Sequence, residues 1–348
     1  MTLRSRVLKA HPATVVLGTF LVAVVVGALI LKLPISTQAG HIPLVDALFT
    51  STSAVCVTGL VVVDTGSYFT TFGQCVILVL IQIGGLGVMT ISVALFRWVG
   101  RSIPFRHRIV MQDLFSHTPR EDIFGLVKSI VLFTLVAEVI GTVALTIHWS
   151  KELPFLSAVY TAMFHSISAF CNAGFSLFAD SMERYRGNVL VNLAMCFLII
   201  IGGIGFPVLY DLQSWLARRG KERVRLSTQT KTVLITTLFL ICSGALMFAF
   251  LEGPSSLGTQ SLSSRLLVPF FQSVTCRTAG FNTVDIASLQ EATLAMLMFL
   301  MFFGASPGSC GGGVKTTTLA LLTTFTLSRA ASEMLITPFP SASPQRQP

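Results

Sequence analysis

Six stretches of this chain, at about 13–33, 70–96, 123–148, 188–216, 230–251 and 290–327, are apolar over about twenty residues or more. A helix rises about 1.5 Å per residue, so each is long enough to cross a hydrocarbon core of about 30 Å. A water-soluble particle cannot hide six such segments. The remaining composition agrees: 53% of the residues are hydrophobic and 11% are Asp, Glu, Lys or Arg, where soluble domains carry roughly 25% charged residues. The apolar content excludes a disordered chain. Seven cysteines with no CxxC pair suggest neither a disulfide scaffold nor a zinc site. The first run lacks a small-residue cleavage site and reads as a span, not a secretory signal.

The net charge of +9 is unevenly placed. Basic residues cluster at Arg4, Arg6 and Lys9, at Arg97, Arg101, Arg106, Arg108 and Arg120, and at Arg218, Arg219, Lys221, Arg223, Arg225 and Lys231. The alternate connections hold Lys32, Lys151, Arg184, Arg186 and Arg265 among Asp46, Asp64, Asp180, Glu183 and Asp285. Cytoplasmic loops of membrane proteins are enriched in Lys and Arg. The pattern therefore predicts a multi-pass protein of the plasma (cell inner) membrane, with the N-terminus and the loops 97–121 and 217–231 in the cytoplasm. It also explains the basic charge without a nucleic-acid partner.

Between members of each pair of runs lies a shorter, mixed segment, at 44–60, 155–176 and 264–281. These segments are too short and too polar to cross. Irregular backbone at membrane depth survives only where protein or a water-filled cavity surrounds it, so they read as re-entrant loops entering from the outer side. They end alike, in Val57-Thr58-Gly59, Asn172-Ala173-Gly174 and Thr278-Ala279-Gly280. Each glycine is followed by a large apolar residue and, five or six positions on, by Asp64, Asp180 or Asp285. Internal similarity at a long period marks a repeated architecture. The expected fold is an all-α integral membrane protein of three parallel helix–pore loop–helix units, at 12–97, 122–216 and 228–328, with 329–348 as a disordered tail. Two full spans and one re-entrant loop per unit keep the copies parallel, which favours a pore around an axis over an inverted-repeat carrier.

The chemistry that fits such loops is cation dehydration. Backbone carbonyls around an axis replace a cation's water, as in potassium-channel filters, and glycine permits the backbone angles that aim them. Val57, Thr58, Gly59, Asn172, Ala173, Gly174, Thr278, Ala279 and Gly280 are the candidate ion-binding residues. Asp64, Asp180 and Asp285 either add negative potential at an outer mouth or cap helices and meet solvent. Arg277, a cation beside a cation pathway, is expected to point behind the loop as a structural clamp on a carboxylate, with Glu252, Asp180 and Asp285 as candidates. Glycines at Ile83-Gly84-Gly85-Leu86-Gly87 and Ile201-Gly202-Gly203-Ile204-Gly205 read as close helix packing. The third inner run is different: Gly304, Pro307, Gly308, Gly311, Gly312 and Gly313, with Lys315 after them, cannot sustain helix. A loop over 304–315 predicts a gate, with a passive kink as the alternative. Gly308 and Gly313 have Walker spacing, but Val314 intervenes before Lys315, so nucleotide is not expected there. Glu138, the only carboxylate well inside an apolar run, makes no acid–base set, and an enzyme is not expected. His165 reads as a packed or capped histidine.

These stretches resemble the superfamily of potassium uptake proteins that includes the Trk, Ktr and plant HKT transporters, the Ktr branch most of all. The matching stretches are Asp46-Ala47-Leu48-Phe49-Thr50 through Gly66, Gln82-Ile83-Gly84-Gly85-Leu86-Gly87, Phe170-Cys171-Asn172-Ala173-Gly174-Phe175, Arg277-Thr278-Ala279-Gly280-Phe281-Asn282 and Gly304-Ala305-Ser306-Pro307-Gly308 through Thr318. The resemblance covers about 12–327. It implies potassium uptake through a filter of four loops, with no covalent cofactor and with sodium as a candidate coupling ion. It further implies an intramembrane gating loop in the third unit, a homodimer, and a cytoplasmic nucleotide-binding regulatory ring. The family has four units where this chain shows three; the period puts a fourth glycine near residue ~390. A truncated, non-conducting fragment or scaffold of such a transporter is therefore the alternative expectation.

Overall fold

The computed structural model describes residues 12–87, 123–217, 225–254, 258 and 260–336. The basic clusters at 4–9, 97–120 and 218–223 lie outside them. Among the described residues all regular structure is helical, apart from one isolated bridge between Thr37 and Phe69, which agrees with the all-α expectation. The longer helices are α1 (Pro12–Leu31), α2 (Leu44–Val55), α3 (Thr71–Leu86), α4 (Ile123–Trp149), α5 (Phe155–Phe170), α6 (Val189–Ile204), α7 (Phe206–Ala217), α8 (Thr228–Glu252), α9 (Leu262–Thr275), α10 (Glu291–Phe302) and α11 (Thr316–Ile336).

Large apolar side chains face outward as well as inward, and polar ones are buried among them. Leu132, Leu135 and Val139 of α4, and Leu238, Leu246 and Phe250 of α8, face outward, while Ser51, Ser166, Ser273, His165, Gln272 and Thr283 are buried. That distribution suits hydrocarbon outside and polar contacts inside. Among the described residues, 128–149 of α4 and the whole of α8 are each long and apolar enough to cross a membrane. Helices α2, α5 and α9 have 12, 16 and 14 residues, about 18–24 Å, and stop within the protein interior.

One three-way contact recurs. Ser51, Ser166 and Ser273, on the short helices α2, α5 and α9, donate to the carbonyls of Val24, Glu138 and Ile241 on α1, α4 and α8, at 2.8, 2.7 and 2.8 Å. Beside each serine lies a glycine of the same long helix, Gly27, Gly141 or Gly244, so close that an added Cβ would crowd the serine hydroxyl and a leucine, Leu80, Leu198 or Leu300, from the following helix. The small residue lets three backbones converge, and the serine satisfies its hydroxyl on the neighbouring helix. Helix α3 also packs on α5, and α6 on α9, which draws the ends of the short helices toward a common centre.

The fourth apolar run, 188–216, is not one straight helix. Helix α6 ends at Gly205, whose φ is +98°, and α7 leaves at 100°. A side chain resists that left-handed region, and the apolarity continuing through 206–209 concealed the turn. Close packing does explain Gly84 and Gly202. A Cβ there would collide with the Val55 and Phe170 carbonyl oxygens, at the C-terminal ends of α2 and α5. The segment expected as a disordered tail begins as helix, because α11 runs on to Ile336; residues 337–348 lie outside the described ones.

Two neighbouring glycines test this packing. Gly202→Ala places a methyl against a fixed backbone oxygen and should cost about 1–3 kcal/mol, seen as a clear drop in melting temperature in detergent. At Gly203 the nearest atoms to a Cβ are 3.7 and 3.9 Å away, so Gly203→Ala should melt with the parent protein. Equal melting of the two variants would contradict the packing.

Candidate functional site

Helices α2, α5 and α9 deliver their chains into three irregular segments that meet. The Cβ direction at Gly59 runs into the Ala173 carbonyl oxygen (2.6 Å) and Gly174 Cα (3.2 Å). At Gly174 it meets the Ala279 carbonyl oxygen (2.7 Å), Gly280 Cα (3.1 Å) and Gly59 Cα (3.3 Å). Residues from three distant parts of the sequence therefore share one centre. Each glycine is left-handed, with φ of +79°, +70° and +87°. The residue two before it is left-handed too: Val57 at 54°, Asn172 at 57° and Thr278 at 71°. Holding a non-glycine residue there costs of order 1 kcal/mol or more, so three such residues at equivalent places mark a backbone built for a purpose.

That purpose shows in the hydrogen bonds. The segments are tied back to their helices by Thr58 N–H to Ser53 O (2.8 Å), Ala173 N–H to Ser168 O (2.7 Å) and Ala279 N–H to Thr275 O (2.9 Å). Ser168 and Thr275 hydroxyls hold the Phe175 and Phe281 carbonyls at 2.8 and 2.7 Å. By contrast, no described residue donates to the carbonyls of 57–59, 172–174 or 278–280. Unpaired carbonyls in a membrane interior are costly. Nine of them around one centre form a place for a species that is all donor or all positive charge.

On one side of the glycines an open cavity of about 390 Å³ is lined by Gly59, Asp64, Gly174, Ser176, Phe178 and Gly280, among others. Of the three expected mouth aspartates, Asp64 reaches this cavity. Its carboxylate also accepts the Ser67 N–H at 3.0 Å, capping a single helical turn. Asp180 is paired with Arg184 at 2.8 Å, and hydrogen bonding from that guanidinium holds its carboxyl below the usual range. Asp285 caps the 3-10 turn Ile286–Ser288 through the Ala287 N–H. All three aspartates are thus bonded locally, Asp64 and Asp285 as caps and Asp180 in an ion pair. Outer segments two and three are stitched together by Asn282, which donates to Glu183 Oε1 (2.8 Å) and whose carbonyl takes the Met182 N–H (2.9 Å).

On the other side lies the segment 303–315 between α10 and α11. Its ends are closed by Ala305 N–H to Gly312 O (3.1 Å) and Val314 N–H to Phe302 O (3.1 Å), an Ω-shaped loop. A Cβ at Gly311 would lie 2.6 Å from Thr278 Oγ1, so the loop sits against the third glycine segment. Lys315 Nζ donates to Gly311 O at 2.9 Å, and the Ser306 and Thr316 hydroxyls pair at 2.8 Å. The loop also meets the break in the α6–α7 pair. Where α6 stops, its last carbonyls lose their helical partners. Gly203 O instead accepts Ser306 N–H (3.0 Å) and Gly202 O accepts Cys310 N–H (3.2 Å). The Phe206 N–H at the start of α7 donates to Gly308 O at 2.9 Å. Loop and break satisfy each other.

Arg277 is buried but does not meet a carboxylate. Its Nη2 faces Thr237 Oγ1 at 3.5 Å, and Nε has no partner among the described residues. The expected partners are elsewhere: Glu252 takes the Gln290 N–H and Thr293 hydroxyl, and Asp180 and Asp285 are engaged as above. Thr237 lies along α8 from Glu252 by about 22 Å, so the arginine sits at a different depth. Glu138 is also tethered, by Gln82 Nε2 at 2.9 Å, and the same Gln82 accepts the Cys171 thiol at 3.6 Å behind the second segment.

The profile of the family described as "TrkH: Cation transport protein" matches residues 6–337. The Ktr system potassium uptake protein B of Bacillus subtilis (strain 168) is 42% identical over 315 residues, 90% of this chain and 69% of that protein. The protein of the same description from Vibrio alginolyticus is 39% identical over 333 residues, 94% of this chain and 72% of its own. The potassium/sodium uptake protein NtpJ of Enterococcus hirae is 36% identical over 317 residues. The crystal structure of the potassium transporter TrkH from Vibrio parahaemolyticus is similar with a TM-score of 0.64 and 21% identity, a likeness of fold, and the chain spans 64% of it.

The latch between loop and helix break can be read by hydrogen exchange. The Ser306 and Cys310 amides should be protected in the parent protein. Gly205→Ala forces a side chain into a left-handed position and puts its methyl 2.5 Å from the Pro307 carbonyl oxygen. It should speed exchange at Ser306 and Cys310 by about tenfold, the equivalent of about 1.4 kcal/mol, while amides in mid-α8 keep the parent rate.

Proposed function

Because the chain belongs to the TrkH family of cation transport proteins, we propose that it is a pore-forming membrane subunit for potassium uptake. The observation that carries this reading is the set of unpaired carbonyls at 57–59, 172–174 and 278–280 around one centre. A potassium ion gives up its water where such oxygens replace it. In this reading the chain forms three parallel helix–pore loop–helix units around a pseudo-symmetric pathway. Val57, Thr58, Gly59, Asn172, Ala173, Gly174, Thr278, Ala279 and Gly280 are its filter. The cavity bearing Asp64 is the outer mouth, where one unneutralised carboxylate raises the local cation concentration.

The loop at 304–315 is the gate. It lies on the side of the filter opposite the mouth, touches Thr278, and is fixed by hydrogen bonds that a modest movement would release. Lys315 holds the loop through Gly311 and does not stand in the pathway as a free charge. Arg277 braces the third segment against α8. In this reading the N-terminus lies in the cytoplasm, which the basic clusters of the sequence support. Assembly as a homodimer, regulation by a cytoplasmic nucleotide-binding ring and sodium as a coupling ion complete the proposal. Two of the similar proteins are named as parts of a Ktr system, and a third is named for potassium and sodium.

The test is rubidium uptake and growth on low potassium in cells lacking their own potassium transport. The parent chain should restore both. Gly59→Val, Gly174→Val and Gly280→Val should weaken discrimination between potassium and sodium in the protein that reaches the membrane, with abundance measured alongside. Undiminished rubidium uptake in all three variants would remove the filter assignment. Deletion of 308–313 should raise flux; unaltered flux would return the loop to a passive kink.

A further inference from the structure

His165 is wholly buried on α5, behind the second filter segment. Its Nδ1 lies 2.8 Å from the Thr161 carbonyl oxygen, which can only accept, so Nδ1 carries the proton. Nε2 is then a bare acceptor. The Leu177 N–H donates to it at 3.3 Å, and the Ser176 hydroxyl lies 3.0 Å away. Ser176 Oγ in turn accepts the Phe178 N–H at 2.9 Å. One imidazole thus organises three consecutive residues that begin two positions after Gly174, and Ser176 and Phe178 line the outer cavity. The ring also stacks on Phe178, with centroids 4.9 Å apart, and lies 6.5 Å from the ring of Phe281, the residue after Gly280. From the opposite side, Gly66 approaches the Leu177 carbonyl so closely that a Cβ would collide with it. The outer end of the second segment is therefore gripped between His165 and Gly66.

The residues before the equivalent serines Ser51 and Ser273 are Thr50 and Gln272. The Thr50 hydroxyl has no partner among the described residues, while Gln272 Nε2 donates to Thr283 Oγ1, three residues after Gly280, at 3.4 Å. We propose that His165 is a positioning residue for ion discrimination: by holding 176–178 it fixes the carbonyls of 172–174, and through Phe281 it sets their distance from the third segment. This rests on the reading of the glycine segments as a filter. The residue never touches the ion. Its acceptor atom is what counts, so glutamine, which can present an oxygen there, substitutes where leucine does not.

The experiment is calorimetric titration of the purified full chain in detergent with potassium chloride, and separately with sodium chloride, for the parent, His165→Leu, His165→Gln and Ser176→Ala. Positioning predicts that His165→Leu raises the potassium Kd at least about fivefold, the order of one lost neutral hydrogen bond, and narrows the gap to sodium. Glutamine should restore most of the gap, and Ser176→Ala should fall between. A merely structural role would lower the binding-competent fraction and leave the Kd of the remainder unchanged, and that result overturns the proposal. Should His165→Leu fail to fold, an unchanged Kd in Ser176→Ala overturns it equally. If the parent itself shows no preference for potassium, the filter reading falls and takes this inference with it. If the parent is selective and every variant matches it, only the role of His165 falls.

Discussion

A peptide group in the middle of a bilayer has no water to turn to, and most of this architecture is a response to that fact. Helices satisfy their own backbones. Where the chain leaves helix, each irregular stretch has found partners. The Ω-shaped loop bonds across its own neck and to the broken end of α6. The segments after α2, α5 and α9 are tied back by N–H groups and hydroxyls. The carbonyls of 57–59, 172–174 and 278–280 have no donor among the described residues.

The same constraint explains how distant parts of the chain are kept in step. The α6–α7 break leaves two carbonyls and one N–H without helical partners, and the loop between α10 and α11 supplies all three. A movement of the loop that exposes those groups has to be matched by a rearrangement at Gly205, about as costly as the bonds it replaces. Loop position and the direction of α7 are therefore linked through shared hydrogen bonds. Asp211 of α7 accepts from Ser227 and Thr230 at the start of α8, at 3.0 and 2.6 Å, which extends the linkage to the next long helix.

Much of this was legible in the sequence, for identifiable reasons. Apolar length reveals membrane helices, and the three glycine segments share enough local composition to be aligned by eye. Their meeting in space follows from that alignment. The break at Gly205 was hidden because apolar residues run across it, and hydropathy reports the solvent a segment prefers, not its direction. The partner of Arg277 was misjudged because only residue types, not depths along α8, can be compared in a sequence. His165 looked like a lone packed histidine; its bonds to Ser176 and Leu177 depend on a turn that spacing does not announce. The Gly27, Gly141 and Gly244 contacts carry a faint signal, a glycine in each outer helix paired with a serine on the following short helix, visible only once the three segments are superposed.

The spacing from that serine to the left-handed glycine of its segment is eight residues at Ser51 and Ser166 but seven at Ser273. The shortfall is absorbed where α9 ends: the tie from the residue before the glycine reaches back five positions in the first two segments and four in the third. The three segments are thus unequal by one peptide. Substitutions carried from one segment to another by counting residues back from the glycine will therefore land on different atoms.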